Sequence, residues 1–89
     1  MDDRRTHEVR LLVTARRQLL RVPRRIQPRV ADAIRALSAE PRPAGCKKLA
    51  GHADYYRVRV GDYRVLYEVR DREILVLVIK IGHRREVYR

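Results

Sequence analysis

The stretch Tyr55-Tyr56-Arg57-Val58-Arg59-Val60-Gly61-Asp62-Tyr63-Arg64-Val65-Leu66-Tyr67-Glu68-Val69 decides how this chain folds. Two alternating runs rich in Val and Tyr flank Gly61-Asp62, and a period of two belongs to half-buried strands. A two-residue loop that begins with glycine suits a type II′ turn, whose twist matches an antiparallel hairpin. The loop length sets the register. Val60 faces Tyr63, Arg59 faces Arg64, Val58 faces Val65 and Arg57 faces Leu66. Tyr56, Val58, Val60, Tyr63, Val65 and Tyr67 then share the face expected to bury, and Arg57, Arg59 and Arg64 share the other.

Downstream, residues 73–81 are again rich in Leu, Val and Ile and predict a third meander strand, entered through the weaker turn signal Asp71-Arg72. Continued alternation sets Leu75, Leu77 and Ile79 beside the arginines, with Glu68 nearby. Upstream, residues 42–54 read as a loop carrying Gly45, Lys47, Lys48 and Gly51. Before it, Ile26, Val30, Ile34 and Leu37 recur at helical spacing and predict a helix over 24–39. Pro28 falls in its first turn, where no intrahelical donor is lost, and Pro41 and Pro43 close it. Thr14 suits the N-cap of a shorter helix ending near Arg21, burying Leu19 and Leu20 and stopped by Pro23. Residues 7–13 alternate, with Val9, Leu11 and Val13 on one side, and predict an N-terminal strand. The expected fold is therefore α+β: a strand, a two-helix hairpin, then an antiparallel meander sheet with the helices packed on one face. Residues 1–89 leave room for a single domain.

Composition narrows the function. Of 89 residues, 45% are apolar, enough for a globular core although 37% are charged. The 22 Lys and Arg less 11 Asp and Glu leave a net charge of +11. Codon bias accounts for the preference for Arg over Lys, but not for a twofold excess of basic over acidic residues. Such a surface calls for a polyanion or an acidic protein, and nucleic acid is the favoured partner. The single cysteine, Cys46, has no internal disulfide partner, and His7, His52 and His83 are scattered, so neither a metal site nor a cofactor is expected. No apolar run approaches the roughly 20 residues of a membrane span, and no apolar segment follows Arg4-Arg5 as in a signal peptide. A cytoplasmic protein without membrane contact is expected.

Like charges directly opposite on a sheet destabilise it, so Arg59 against Arg64 requires a reason. The plain one is that the arginines splay into solvent or pair with Glu68. The functional one is an anion site, since guanidinium donors fit phosphate oxygens. The tail Gly82-His83-Arg84-Arg85-Glu86-Val87-Tyr88-Arg89 adds an imidazole, further guanidiniums and an aromatic ring, with Gly82 expected to turn the chain back over the same face. A basic face with a stacking ring is what single-stranded RNA recognition uses.

The hairpin quoted above, together with Ile81-Gly82-His83-Arg84-Arg85-Glu86-Val87-Tyr88, resembles the RelE branch of the RelE/ParE toxin superfamily. The loop Lys47-Lys48-Leu49-Ala50-Gly51 and the preceding helix pair fit as well, so the resemblance spans nearly the whole chain. It implies a small bacterial toxin of a type II toxin–antitoxin system that enters the ribosomal A site and cuts mRNA, blocking translation. It also implies an acidic, RelB-like antitoxin, assembled with the toxin into a hetero-oligomer. By position, the basic pair of the family's first meander strand falls on Arg57 and Arg59, and the arginine of its second strand on Arg64. The arginine after the last strand falls on Arg84, and the tyrosine that stacks on an mRNA base on Tyr88. Lys47, Lys48 and Arg85 join these as expected RNA-binding residues. RelE toxins often carry lysines where this chain has Arg57 and Arg59, and Arg is effectively never deprotonated. His83 is then the side chain in the set suited to proton transfer near neutral pH. The implied reaction is attack of a ribose 2′-hydroxyl on the adjacent phosphate, which needs no metal or cofactor because the substrate supplies its own nucleophile. The competing branch of the superfamily is the ParE-like, non-enzymatic inhibitor of DNA gyrase.

Overall fold

The computed structural model describes residues 6–84 apart from 52 and 53. In chain order these form β1 (Glu8–Leu11), α1 (Val13–Arg21), α2 (Gln27–Ala36), β2 (Lys47–Lys48), β3 (Tyr55–Val60), β4 (Tyr63–Arg70), a 3-10 turn (Asp71–Glu73) and β5 (Leu75–His83). One five-stranded sheet has the order β1-β5-β4-β3-β2, with the helices against one face. The α+β fold with a strand, two helices and a meander is as expected. The sheet itself is mixed, because β1 lies parallel to β5, pairing Val9 with Val76 and Leu11 with Val78.

The β3–β4 register is the expected one, from Val60 opposite Tyr63 through Arg57 opposite Leu66. Gly61 has φ 59°, and Asp62 is not among the positive-φ residues, the combination a II′ turn requires. The buried face carries Tyr56, Val60, Val65, Tyr67 and Val69, continued on β5 by Val76, Val78 and Ile81. Val30, Ile34 and Leu37, together with Ala15 and Val22, close over it from the helices. Each fully buried Val, Leu or Ile contributes about 1.5–3 kcal/mol, so this layer supplies most of the folding free energy.

Several expectations are corrected. The first strand ends at Leu11, and Val13 begins α1, exposed to solvent. Thr14 is not an N-cap: Leu12 occupies that position without a side-chain cap. The Leu12 N–H donates to the Val78 carbonyl at 3.0 Å, and its own carbonyl accepts from Arg16 N–H at 2.9 Å. The helix start is therefore set by where β1 leaves β5. Leu19 packs on the core but Leu20 does not, because the buried face of α1 follows Ala15, Leu19 and Val22. The second helix is shorter than 24–39, although Pro28 does sit in its first turn. The segment 42–54 is not all loop, since Lys47 and Lys48 add a strand beside β3. The Asp71-Arg72 connection is a three-residue 3-10 turn ending in Ile74 at φ 52°, so β5 starts and ends two residues later than expected.

Side chains at the far end of the sheet from Gly61 tie these pieces together. The buried Tyr67 hydroxyl donates to the Pro41 carbonyl at 2.7 Å, and burial pushes its phenol above the ordinary value. Arg42 donates through Nε to the Tyr56 hydroxyl at 2.9 Å, lies over that ring and reaches Asp71 at 2.8 Å. His7 Nε2 meets the same carboxylate at 3.1 Å. The N-terminal strand, the post-helix loop and the β4–β5 turn thus converge on one exposed carboxylate. No helix among the described residues is long and apolar enough to cross a membrane.

Tyr67→Phe removes the donor and leaves the Pro41 carbonyl without it, so urea unfolding should give a loss of about 1–3 kcal/mol. Hydrogen bonds from Arg42 and then His7 hold the Asp71 carboxyl below its ordinary 3.8. A lowered carboxyl value means a contribution present above that pH and lost as pH falls through the lower folded value. Asp71→Asn should therefore cost about 1 kcal/mol or less at pH 7, as exposed ion pairs do, and the difference should close only below pH 3.8.

Candidate nucleic-acid interface

The sheet face turned away from the helices is organised in rows across the strands. Nearest the Gly61-Asp62 turn, Arg59 stands opposite Arg64, and Arg64 opposite Gly82. In the next row Lys47 pairs with Arg57, Arg57 with Leu66 and Leu66 with Lys80. Farther along, Tyr55, Glu68, Leu77 and Arg10 lie in register. Positive charge is thus concentrated at one end. At the other, carboxylates are matched within the sheet: Arg70 Nε donates to Glu68 at 3.0 Å, and Arg10 Nε to Glu8 at 2.7 Å. Glu68 is thereby bonded to Arg70 of its own strand.

Arg64 is the one charged residue among those described that is buried, at 9% exposure. Its place mid-sheet holds the guanidinium with little freedom, and Gly82 sets no side chain against it. Taking such an ion out of water costs several kcal/mol unless hydrogen bonds offset it. Arg59 is exposed and Arg57 half-buried, so the row grades from a fixed inner cation to accessible outer ones. Arg84 is tied to the same end, since its N–H donates to the Asp62 carbonyl at 2.8 Å. Arginines remain charged throughout the physiological range, so this end of the sheet can neutralise a phosphate without any proton change. Among the described residues no three His, Cys, Asp or Glu come together as a metal site.

Of the residues singled out from sequence, the structure brings together Arg57, Arg59, Arg64 and Lys47, with Arg84 beside the turn. It separates two. Lys48 pairs with Tyr56 and so lies on the helix side of the edge strand. His83 does not turn back over the arginines, because Gly82 continues β5 and sets His83 opposite Tyr63. The two rings meet edge to face at 5.5 Å on the opposite side of the sheet. Arg85 and Tyr88 lie outside the described residues. Lys80 was missed. A bulge in β5 where Leu66 gives way to Tyr67 moves the pairing by one, so Lys80 replaces the expected Ile79 beside the arginines. Only the dipeptide Lys47-Lys48 before an apolar residue hinted at the extra edge strand.

The sheet carries a helix pair on one face and an arginine row on the other, and the proteins this chain is similar to are toxins of toxin–antitoxin systems. The family described as the ParE toxin of type II toxin–antitoxin systems matches residues 9–88. The toxin RelG of Mycobacterium tuberculosis is 36% identical over 84 residues, covering 93% of this chain and 97% of its own. The RelE–RelB complex of Pyrococcus horikoshii superposes with a TM-score of 0.80 at 29% identity, over 92% of this chain and 99% of that one. The toxin–antitoxin complex RelBE2 of Mycobacterium tuberculosis gives 0.78 at 34% identity, over 97% and 100%. This chain belongs to the RelE/ParE superfamily of type II toxin–antitoxin toxins.

Crowding of cations in the Arg59–Arg64 row should be relieved by salt, whose screening length is about 10 Å at 0.1 M. The melting temperature of the parent should rise between low and moderate salt. In Arg59→Gln, thermal denaturation at both salts should show a higher starting value and a smaller rise.

Proposed function

We propose that this toxin is a ribosome-dependent endoribonuclease that cuts mRNA in the A site. The observation that carries the reading is the row of Arg59 and Arg64, continued by Lys47 and Arg57, on the open face of the sheet. In the reaction, the ribose 2′-oxygen forms a bond to the adjacent phosphorus while the bond to the 5′-oxygen breaks. The products are a 2′,3′-cyclic phosphate and a 5′-hydroxyl, with the 2′ proton lost and the leaving oxygen protonated. Arg57, Arg59, Arg64 and Arg84 stabilise the extra negative charge on the pentacoordinate phosphorane, and a preorganised donor of this kind is worth about 3–4 kcal/mol. Tyr88 stacks on a base, an interaction worth about 1–3 kcal/mol, and Lys47 and Arg85 hold the flanking backbone.

No arginine serves as a base, and His83 faces the other side of the sheet. Alignment by the ribosome must supply much of the rate, and alignment can contribute about 7–11 kcal/mol. Cutting of free mRNA is then slow. The +11 charge favours an acidic antitoxin that wraps the domain and holds the toxin inactive, and the solved RelE–RelB complexes similar to this chain support an antitoxin partner.

A second reading, favoured by the ParE name of the matching family, is a non-enzymatic inhibitor of DNA gyrase. Primer extension on a translated mRNA after induction separates the two. Breaks inside codons are expected, reduced about 10²-fold or more by Arg64→Ala or Arg84→Ala. Full toxicity in both variants, with intact mRNA and linearised or relaxed plasmid DNA, would establish gyrase as the target.

A further inference from the structure

The chain contains a second concavity, on the side of the sheet away from the arginine row. β1 stops opposite Val78, whereas β5 runs on to His83, and α1 crosses the gap. The resulting cavity has a volume of about 330 Å³. It is lined by Gln18, Arg21 and Val22 from α1 and its C-cap, by Tyr63 from β4, and by residues 80–82 of β5. Sites for small organic ligands begin at about 300 Å³, so the space suits one nucleotide and is too small for a helix.

Its chemistry points the same way. Gln18 Oε1 accepts the Ile81 N–H at 2.8 Å, which fixes the carboxamide at the cavity wall, where its NH₂ group is a donor. Arg21 adds an exposed guanidinium, and Lys80 lies at the rim from the strand. The Tyr63 ring forms a wall and is held edge-on by His83. Among the described residues no carboxylate lines the space. The donors, cation and ring that do line it match the carbonyls, phosphate and flat base of a nucleotide. Gly82 connects the two sides, because it lines this cavity and is also the ladder partner of Arg64.

We propose that the cavity between α1 and the end of β5 is a nucleotide subsite, seating the RNA residue next to the phosphate held at Arg64. An RNA strand crossing the sheet end at Gly82 places one phosphate on the arginine row and the neighbouring nucleotide in the cavity. Arg21 takes its phosphate, Gln18 reads a base or ribose acceptor, and Tyr63 packs on the ring. His83 is then a positioning residue for Tyr63. The inference rests on the ribonuclease reading, but its binding arm does not need cleavage.

The test uses the whole toxin and two variants at solvent-facing or half-buried positions, Gln18→Glu and Arg21→Gln. Gln18→Glu keeps an oxygen that accepts from Ile81 and replaces the NH₂ donor by the second oxygen of a carboxylate. Titration with the four nucleoside 5′-monophosphates, followed by amide shifts, should perturb Gln18, Tyr63 and Ile81. Either variant should weaken binding about tenfold, the scale of one charge-assisted hydrogen bond, with an unchanged melting temperature. In ribosome-dependent cleavage the variants should raise KM or shift the cut positions while kcat is kept. Shifts confined to the Arg57–Arg59–Arg64 face would overturn the proposal. So would unchanged nucleotide binding in both variants, or a loss of antitoxin binding in their place. A parent that binds nucleotides in the cavity yet cuts no mRNA would refute the ribonuclease reading and leave the subsite standing.

Discussion

The two-residue turn at Gly61-Asp62 is the constraint on which the rest depends. A hairpin loop of that length admits one register, and a slip of one residue would exchange the two faces of β3 and β4. The register commits Tyr56, Val65 and Tyr67 to the helices and Arg57, Arg59 and Arg64 to the open face. Burial of the first set is strongly favourable, so the second set is carried into proximity whatever its own repulsion. The core thus imposes the arginine row, and the row costs some of the stability that the core supplies.

The two ends of the sheet divide the work. At the Gly61 end, cations face cations, and Arg64 is held nearly out of solvent. At the Asp71 end, Arg70 pairs with Glu68, and Arg42, Asp71 and His7 tie three segments that are remote in sequence. A domain of 89 residues has little surplus stability, because a small chain buries a smaller fraction of its surface. Ion pairs between opposite charges at one end offset the crowding of like charges at the other. The exposed Leu12, Val13 and Leu20 on α1 are a further concession, since they add nothing to the core they adjoin.

The β5 bulge is a small feature with a large effect on the site. It brings Lys80 onto the row with Arg57 and Leu66, and it carries Gly82 opposite Arg64. It also places His83 against Tyr63, on the far side from the arginine row. That row therefore presents guanidinium and ammonium groups without the imidazole.

Much of this was legible in the residues themselves. Period-two alternation around a Gly-led loop determined β3, β4, their register and the faces of their side chains, and spacing of 3–4 residues determined which side of α2 is buried. Those are local properties: they follow from backbone geometry and from where apolar side chains recur. The resemblance carried by the same stretch and the tail determined the superfamily. What only the tertiary structure decided depends on partners distant in the chain. The parallel pairing of β1 with β5 set the start of α1 in place of a Thr14 cap, and the helix phase then exposed Leu20. The edge strand at Lys47-Lys48 exists because β3 offered it a ladder. The side of the sheet that His83 and Lys80 occupy was settled by a bulge, whose single extra residue is a compromise between β4 and β5 that neither strand's sequence announces.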